Sequence, residues 1–150
     1  MKKTYRKFEG TTIHWSKTQG EIIQLLLKTG ISNSRFSNTD KGIVLEFVAM
    51  AKEINKPIPI RMILPMPSDK EQEKNRLHRV LFWYLDNKFE ALRSGLVEEL
   101  TKEFLPFIAF KTKNGVDITL YEALKEEGNA ILGDSNFPLL PKGKEGGEIK

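Results

Sequence analysis

The chain has 150 residues, of which 39% are hydrophobic and 29% are charged, and its formal net charge is +4. This length suits one domain with a buried core, and the absence of cysteine excludes disulfides, thiolate catalysis and cysteine-bound zinc. The longest uninterrupted apolar run, residues 80–85, is too short to cross a bilayer, and no apolar segment follows the N-terminal cations, so we expect a cytoplasmic protein without a membrane partner.

The N-terminal part of the chain predicts short strands followed by a helix. Residues 4–15 are rich in β-branched and aromatic types, which favours one or two strands interrupted by Gly10. Ser16 is a good N-cap, and five Ile and Leu residues between positions 22 and 27 supply an apolar face. The helix that they predict ends at Gly30, because glycine commonly follows the last helical residue.

Three strand candidates come next and predict an antiparallel meander. Residues 34–37 form a short strand, and residues 38–42 supply turn-forming types before the next strand. Residues 43–50 are largely apolar on both faces, which is typical of a central strand. Residues 58–64 contain Pro59, which places that strand at a sheet edge, because proline cannot donate a ladder hydrogen bond.

A long helix dominates the second half of the chain. It is predicted to follow a cap at Ser68 or Asp69 and to end at Gly95. Its core-facing side chains include Leu81, Leu85 and Phe89.

Shorter elements are expected after the long helix. Residues 98–108 form a helical or extended segment, and residues 116–120 form a strand. Residues 120–127 form a short helix that is stopped by Gly128.

The predicted fold class is α+β, with a single domain over residues 1–140 and a flexible tail over residues 141–150. A mainly antiparallel sheet of about four strands carries the short N-terminal helix and the long helix on one face. The sheet is the one apolar partner large enough for the long helix, which is why both helices are placed on it.

A polar stripe along the long helix contains Arg76, Arg79 and Trp83. Trp83 follows Arg79 by four residues, which predicts a cation–π contact worth about 0.5–1 kcal/mol at an exposed site. One interpretation of the stripe is a solvated face. The other is a surface that binds nucleic acid or a protein partner, because Arg and Trp are enriched at binding hot spots and can contact phosphates and stack on bases. We include Lys17, beside the N-terminus of the first helix, and Arg35 in this candidate site.

Two titratable side chains lie on the apolar side of the long helix. His78 is interpreted as a hydrogen-bonded core residue rather than a metal ligand. Lys88 is expected to reach Glu98, Glu99 or Glu103 as a structural ion pair, and a catalytic lysine is the alternative.

Four short motifs stand out in the second half of the chain: KFEA at 88–91, SG at 94–95, EFLP at 103–106 and NGVDITL at 114–120. Through them the chain resembles a family of small uncharacterised proteins encoded by phages and prophages. The chain departs from the family pattern at Asp86, where relatives carry a lysine, and at Arg93, where they carry an acid. The resemblance implies a phage or mobile-element origin and brings no activity with it.

Known catalytic motifs are absent from the sequence. The glycine-rich nucleotide motifs, the serine-hydrolase elbow and the zinc-protease helix do not occur. Asp40, Glu46 and Lys52 are the residue types of a metal-dependent nuclease, although their spacing is common. We therefore assign no catalytic residue, no metal ligand and no cofactor.

The charge distribution has two interpretations, a mildly basic solvated surface, which is common in small basic proteins, and a surface that attracts a polyanion. Residues 1–80 hold 15 Lys and Arg against 8 Asp and Glu, a net +7, whereas residues 81–150 hold 9 against 12, a net −3. A positive front half attracts nucleic acid. The leading hypothesis is thus a non-enzymatic phage or mobile-element accessory protein that binds nucleic acid or a nucleoprotein. The alternatives are a protein-interaction module, acting as a homodimer or as a host-factor inhibitor, and a metal-dependent nuclease.

Overall fold

The computed structural model describes residues 6–66 and 69–132, which form four α-helices and two antiparallel sheets. The elements in chain order are α1 (Trp15–Lys28), β1 (Ser34–Thr39), β2 (Gly42–Ala51), β3 (Lys56–Leu64), α2 (Glu71–Arg93), α3 (Leu100–Phe104), a 3-10 turn (Leu105–Phe107), β4 (Ala109–Lys111), β5 (Asp117–Thr119) and α4 (Leu120–Leu132). The mixed α+β class is therefore confirmed, with three strands in one sheet and two in the other. The predicted cap at Ser68 and the predicted tail at 141–150 lie outside the described residues, and the single-domain assignment stays a prediction.

The three-stranded sheet is the predicted meander. Its order is β1-β2-β3 with antiparallel pairing throughout, so β2 is central, as its two apolar faces predicted. The proline-containing strand β3 lies at the edge of this sheet, as predicted. A single antiparallel bridge between Ile60 and Ile108 connects that edge to the segment that leads into β4.

Gly42 closes the hairpin between β1 and β2. It pairs with Thr39 across a two-residue turn and has a φ of +129°, a backbone conformation that residues with a Cβ rarely adopt. Its Cα also faces the carbonyl oxygen of Leu64 on β3 at close range. The position therefore requires glycine both for its backbone angle and for the space around it.

One face of the three-stranded sheet packs against the helices. Alternate residues of β2 and β3 point to this face and are buried with the apolar stripes of α1 and α2. The central members of this core are Ile22, Leu26, Leu45, Phe47, Ala49, Ile60, Met62, Leu81, Leu85, Phe89 and Phe104. The predicted core positions Leu81, Leu85 and Phe89 are thus confirmed.

The N-terminal segment is not a strand over the described residues 6–14. It runs instead along the first half of α2, where its backbone and side chains find polar partners. Gln72 donates to the carbonyl oxygen of Thr11, and the backbone N–H of Trp15 donates to Oδ1 of Asn75. These contacts use backbone groups that would pair with a neighbouring strand in a sheet. The prediction of one or two strands over residues 4–15, which came from local composition, was therefore wrong over the described residues.

Three helix boundaries also differ from expectation. Lys70 occupies the N-cap of α2 in place of the predicted Ser68 or Asp69, and its side chain makes no capping hydrogen bond. The first helix begins at Trp15, because His14 rather than Ser16 occupies the N-cap and accepts from the backbone N–H of Ser16. The last helix runs through Gly128 to Leu132, so this glycine does not stop it. Glycine costs only about 1 kcal/mol inside a helix, which neighbouring residues can offset.

Within the described ranges, none of the helices combines the length and the apolar character that a membrane crossing needs.

Candidate nucleic-acid interface

Arg76 is held by the N-terminal segment and by its own helix. Its guanidinium contacts both carboxylate oxygens of Glu73, at 2.8 and 3.2 Å, and donates to the carbonyl oxygen of Lys7 at 3.4 Å. Arg6 pairs with the same carboxylate. The hydrogen bond from Arg76 lowers the pKa of Glu73, and the same bond raises the pKa of Arg76. Only 15% of the Arg76 side chain is exposed, and its charge is paired with Glu73 within the protein.

Arg79 connects α2 to α1. Its guanidinium pairs with the carboxylate of Glu21 and contacts the hydroxyl of Thr18, both on α1. It lies over the ring of Phe82, with Cζ 4.9 Å from the ring centroid. The predicted partner Trp83 instead has Nζ of Lys7 at 4.9 Å from its ring centroid. Arg79 therefore fixes α1 against α2 rather than projecting into solvent.

Trp83, Lys17 and Arg35 are accessible but do not form one surface. Trp83 is 43% exposed on α2, and Lys17 is exposed on α1. Arg35 pairs with Glu46 at 3.1 Å. Because Glu46 alternates with the core-facing residues of β2, this pair lies on the face of the sheet that points away from the helices.

A groove between α1 and α2 brings together a different set of cations. Its first part has a volume of about 720 Å³, and a second part of about 580 Å³ shares the side chains of Lys28 and Arg93 with it. Lys17 lines the first part and Lys52 lines the second. Three lysines of the groove have no carboxylate of the described residues within 4.0 Å, namely Lys17, Lys28 and Lys52. Their charges are therefore available to a ligand.

The carboxylates of the groove are already engaged. Glu21 pairs with Arg79, and Asp86 lies 3.8 Å from the guanidinium of Arg93. Arg93 also contacts Glu90 at 2.7 Å. The available positive charge of the groove is therefore carried by its lysines.

Sequence reasoning found one of these lysines and missed Lys28, Lys52 and Arg93. A signal for Lys28 was present, because it follows Lys17 by about three helical turns and so shares its face. No comparable signal existed for Lys52. It follows β2 in the chain and reaches the groove only because β2 lies beneath both helices.

Lys88 is part of an internal ion pair. Its Nζ donates to the backbone carbonyl of Glu103 at 2.9 Å and to its carboxylate at 3.1 Å. The rings of Tyr84, Phe104 and Phe107 surround it, with centroids 4.6 to 5.5 Å from Nζ. Only 11% of the Lys88 side chain is exposed. The expected ion pair is thus present, with Glu103 as the acid.

His78 is a satisfied core residue, as predicted. It is fully buried, Nδ1 donates to the carbonyl oxygen of Lys74 at 2.7 Å, and Nε2 accepts from the side-chain amide of Gln19 at 3.0 Å. The rings of Trp15 and Phe36 lie at 5.9 and 6.3 Å. Burial lowers the pKa of His78 below 6.5, because a charged imidazole would lose its hydration there.

This environment predicts a loss of stability on mild acidification. Below about pH 6.5 the unfolded chain binds a proton at position 78 that the folded chain resists, so the free energy of unfolding falls as pH falls. The contribution of His78 to the slope of unfolding free energy against pH is at most about 1.4 kcal/mol per pH unit. It disappears once the pH falls below the lowered pKa of His78 in the folded state. Urea titrations between pH 7.5 and 5 measure it. The slope should flatten in His78→Gln and persist in His14→Gln, and equal slopes in wild type and His78→Gln would contradict the assignment.

The residues considered for a metal-dependent nuclease do not converge. Asp40 precedes β2 and Lys52 follows it, so the two are separated by the length of a ten-residue strand, about 30 Å. Glu46 lies between them and faces Arg35. In the part of the chain that the structure describes, no three His, Asp or Glu side chains are grouped for a metal ion.

No protein-family model, no curated protein and no solved structure matches this chain.

Proposed function

We propose that this chain is a non-enzymatic accessory protein that binds nucleic acid through the groove between α1 and α2. A phage or mobile-element origin and a cytoplasmic location belong to the same proposal, and both depend on the sequence resemblance and composition described above. The observation that carries the proposal is the row of available cations, Lys17, Lys28 and Lys52, along one continuous groove.

The dimensions of the groove support a ligand with several phosphates. Lys17 and Lys28 lie at opposite ends of α1, about 17 Å apart along the helix axis. Lys52 extends the row beyond the end of α1. A small anion would neutralise one of these positions, whereas a nucleic-acid backbone presents charges at regular intervals to all of them.

Charge reversal tests the proposal. The double variant Lys17→Glu/Lys28→Glu should weaken binding of a fluorescent oligonucleotide about thirtyfold, since two phosphate contacts are replaced by repulsion. Fluorescence anisotropy at several salt concentrations measures both the affinity and its salt dependence. The slope of log K against log salt should become shallower by about 1.4 for a single strand or about 1.8 for a duplex, as expected when two phosphate contacts are lost.

Lys113→Glu/Lys125→Glu is the matched control. Both residues are exposed and lie outside the groove, and the double variant makes the same change in net charge. It should change the affinity by less than about threefold. Equal losses in the two double variants would mean that overall charge rather than the groove governs binding, and wild-type binding that ignores salt would contradict the proposal.

A protein-interaction module is the second candidate, and the exposed aromatic pair on α2 favours it. Trp83 is 43% exposed and Tyr84 is 37% exposed, and aromatic residues are enriched at interface hot spots. Light scattering with Trp83→Ala separates the candidates. Loss of a dimer without any change in oligonucleotide affinity would favour this second function.

A further inference from the structure

The second part of the groove is a pocket with an apolar floor, which we call the end pocket. Its volume is about 580 Å³, within the range of small-ligand sites. Lys28 and Lys52 line it together with Arg93. The remaining residues that line it are mainly apolar and include Ile31, Ala49, Met50, Phe89, Leu92 and Leu100, with the Met50 side chain pointing to the opposite face of β2. No carboxylate belongs to this lining set, in contrast to the first part of the groove.

Two ammonium groups of the end pocket can contact one anionic group. Lys28 and Lys52 contribute two positive charges, while Glu90 and Asp86 occupy the guanidinium of Arg93. The C-termini of α1 and α2 both lie at the pocket, and each carries about half a negative charge. These charges sum to about zero, so a phosphate is attracted by the local position of the Lys28 and Lys52 ammonium groups and not by a net positive charge of the pocket.

We infer that the end pocket receives one unpaired nucleotide, so that the ligand of the groove is single-stranded nucleic acid. This inference rests on the proposed function. The base would occupy the apolar floor, where it is removed from water, and its phosphate would contact Lys28 and Lys52. The neighbouring phosphates of the same strand would continue toward Lys17.

A duplex uses the groove less completely than a single strand. Its phosphates can contact the lysines, but its bases are stacked inside and leave the apolar floor empty. Extruding a base from a duplex costs a few kcal/mol, whereas a single strand has little pairing to break. The end pocket therefore discriminates between the two forms, while the rest of the groove does not.

Parallel titrations of the two forms test this inference. The full chain is titrated into a labelled mixed-sequence DNA strand of about 20 nucleotides and, separately, into the same strand annealed to its complement. The single strand should bind about tenfold more tightly than the duplex at equal salt. Leu92→Asp places a carboxylate in the apolar lining of the end pocket, at a half-buried position of α2, and should reduce this ratio to about one.

Leu96→Asp is the matched control for Leu92→Asp. It makes the same substitution four residues away, at a side chain that is 83% exposed and outside the end pocket, so the ratio should stay near tenfold. Circular dichroism spectra that match the wild type establish that both variants are folded. Equal wild-type affinities for strand and duplex would overturn the inference and leave the proposed function standing. Equal losses for both forms in a folded Leu92→Asp would also overturn it. Absence of binding to either form would remove the proposed function itself.

Discussion

Gly42→Ala is expected to destabilise the protein by about 3 kcal/mol or more, or to prevent folding at 37 °C. Two costs combine at this position. Any Cβ is strained at a φ of +129°, and this Cβ would also lie well inside 3.0 Å of the carbonyl oxygen of Leu64. The oxygen is backbone of the edge strand β3, so it can withdraw only by disturbing the pairing of β2 with β3.

Alanine variants of two other glycines separate the cost of the backbone angle from the cost of the steric contact. Gly115 has a φ of +77° but open space around it, so Gly115→Ala should cost about 1 kcal/mol from the backbone angle alone. Gly20 lies in α1 with ordinary helical geometry and open space, so Gly20→Ala should stabilise by about 0.5–1 kcal/mol. Urea denaturation of all three variants gives the comparison. If Gly42→Ala loses no more stability than Gly115→Ala, the backbone of β3 can move away from the added Cβ at little cost, and the expected steric penalty is absent.

Lys88→Ala is expected to cost about 2–4 kcal/mol of folding stability, the second largest effect. The substitution removes two hydrogen bonds to Glu103 and leaves that carboxylate without its partner at a site where 17% of its side chain is exposed. It also empties the space enclosed by three aromatic rings. The residual exposure of both partners keeps the expected loss below that of a fully buried pair.

Lys102→Ala provides the control for Lys88→Ala. Lys102 is a neighbouring exposed cation, 4.0 Å from Glu99, and its loss should change the stability by less than about 0.5 kcal/mol. The double variant Lys88→Met/Glu103→Gln should recover part of the stability, because it removes both charges together. A stable Lys88→Ala that no longer binds oligonucleotides would instead assign Lys88 a functional role.

The meander and the helix ends could be predicted because their signals are local. The two apolar faces of β2 determine its central position, and Pro59 restricts β3 to an edge. Gly30 and Gly95 follow the C-cap residues of α1 and α2 and have φ values of +87° and +79°, as glycines at helix ends commonly do. Each of these conclusions needed only the residues of the element itself.

The environment of the polar stripe could not be predicted, because its partners are distant in the chain. Helical spacing correctly placed Arg79 and Trp83 on one polar side of α2, but Glu21, which pairs with Arg79, is 58 residues away. The strand prediction failed for a related reason. Thr11 and Trp15 have high β propensity, yet their contacts with α2 decide their conformation. Propensity describes a residue in isolation, whereas these groups are fixed by tertiary partners.

The pairing of α1 with α2 has a consequence for the order of folding. The hydrogen bonds between Gln19 and His78 and between Glu21 and Arg79 join residues 59 and 58 positions apart, across the entire meander. Closing so long a loop costs chain entropy that the two hairpins, with their two- and four-residue turns, do not incur. On a ribosome, α1 therefore emerges with Ile22 and Leu26 lacking their helix partner until α2 has been synthesised, and the meander has time to form first.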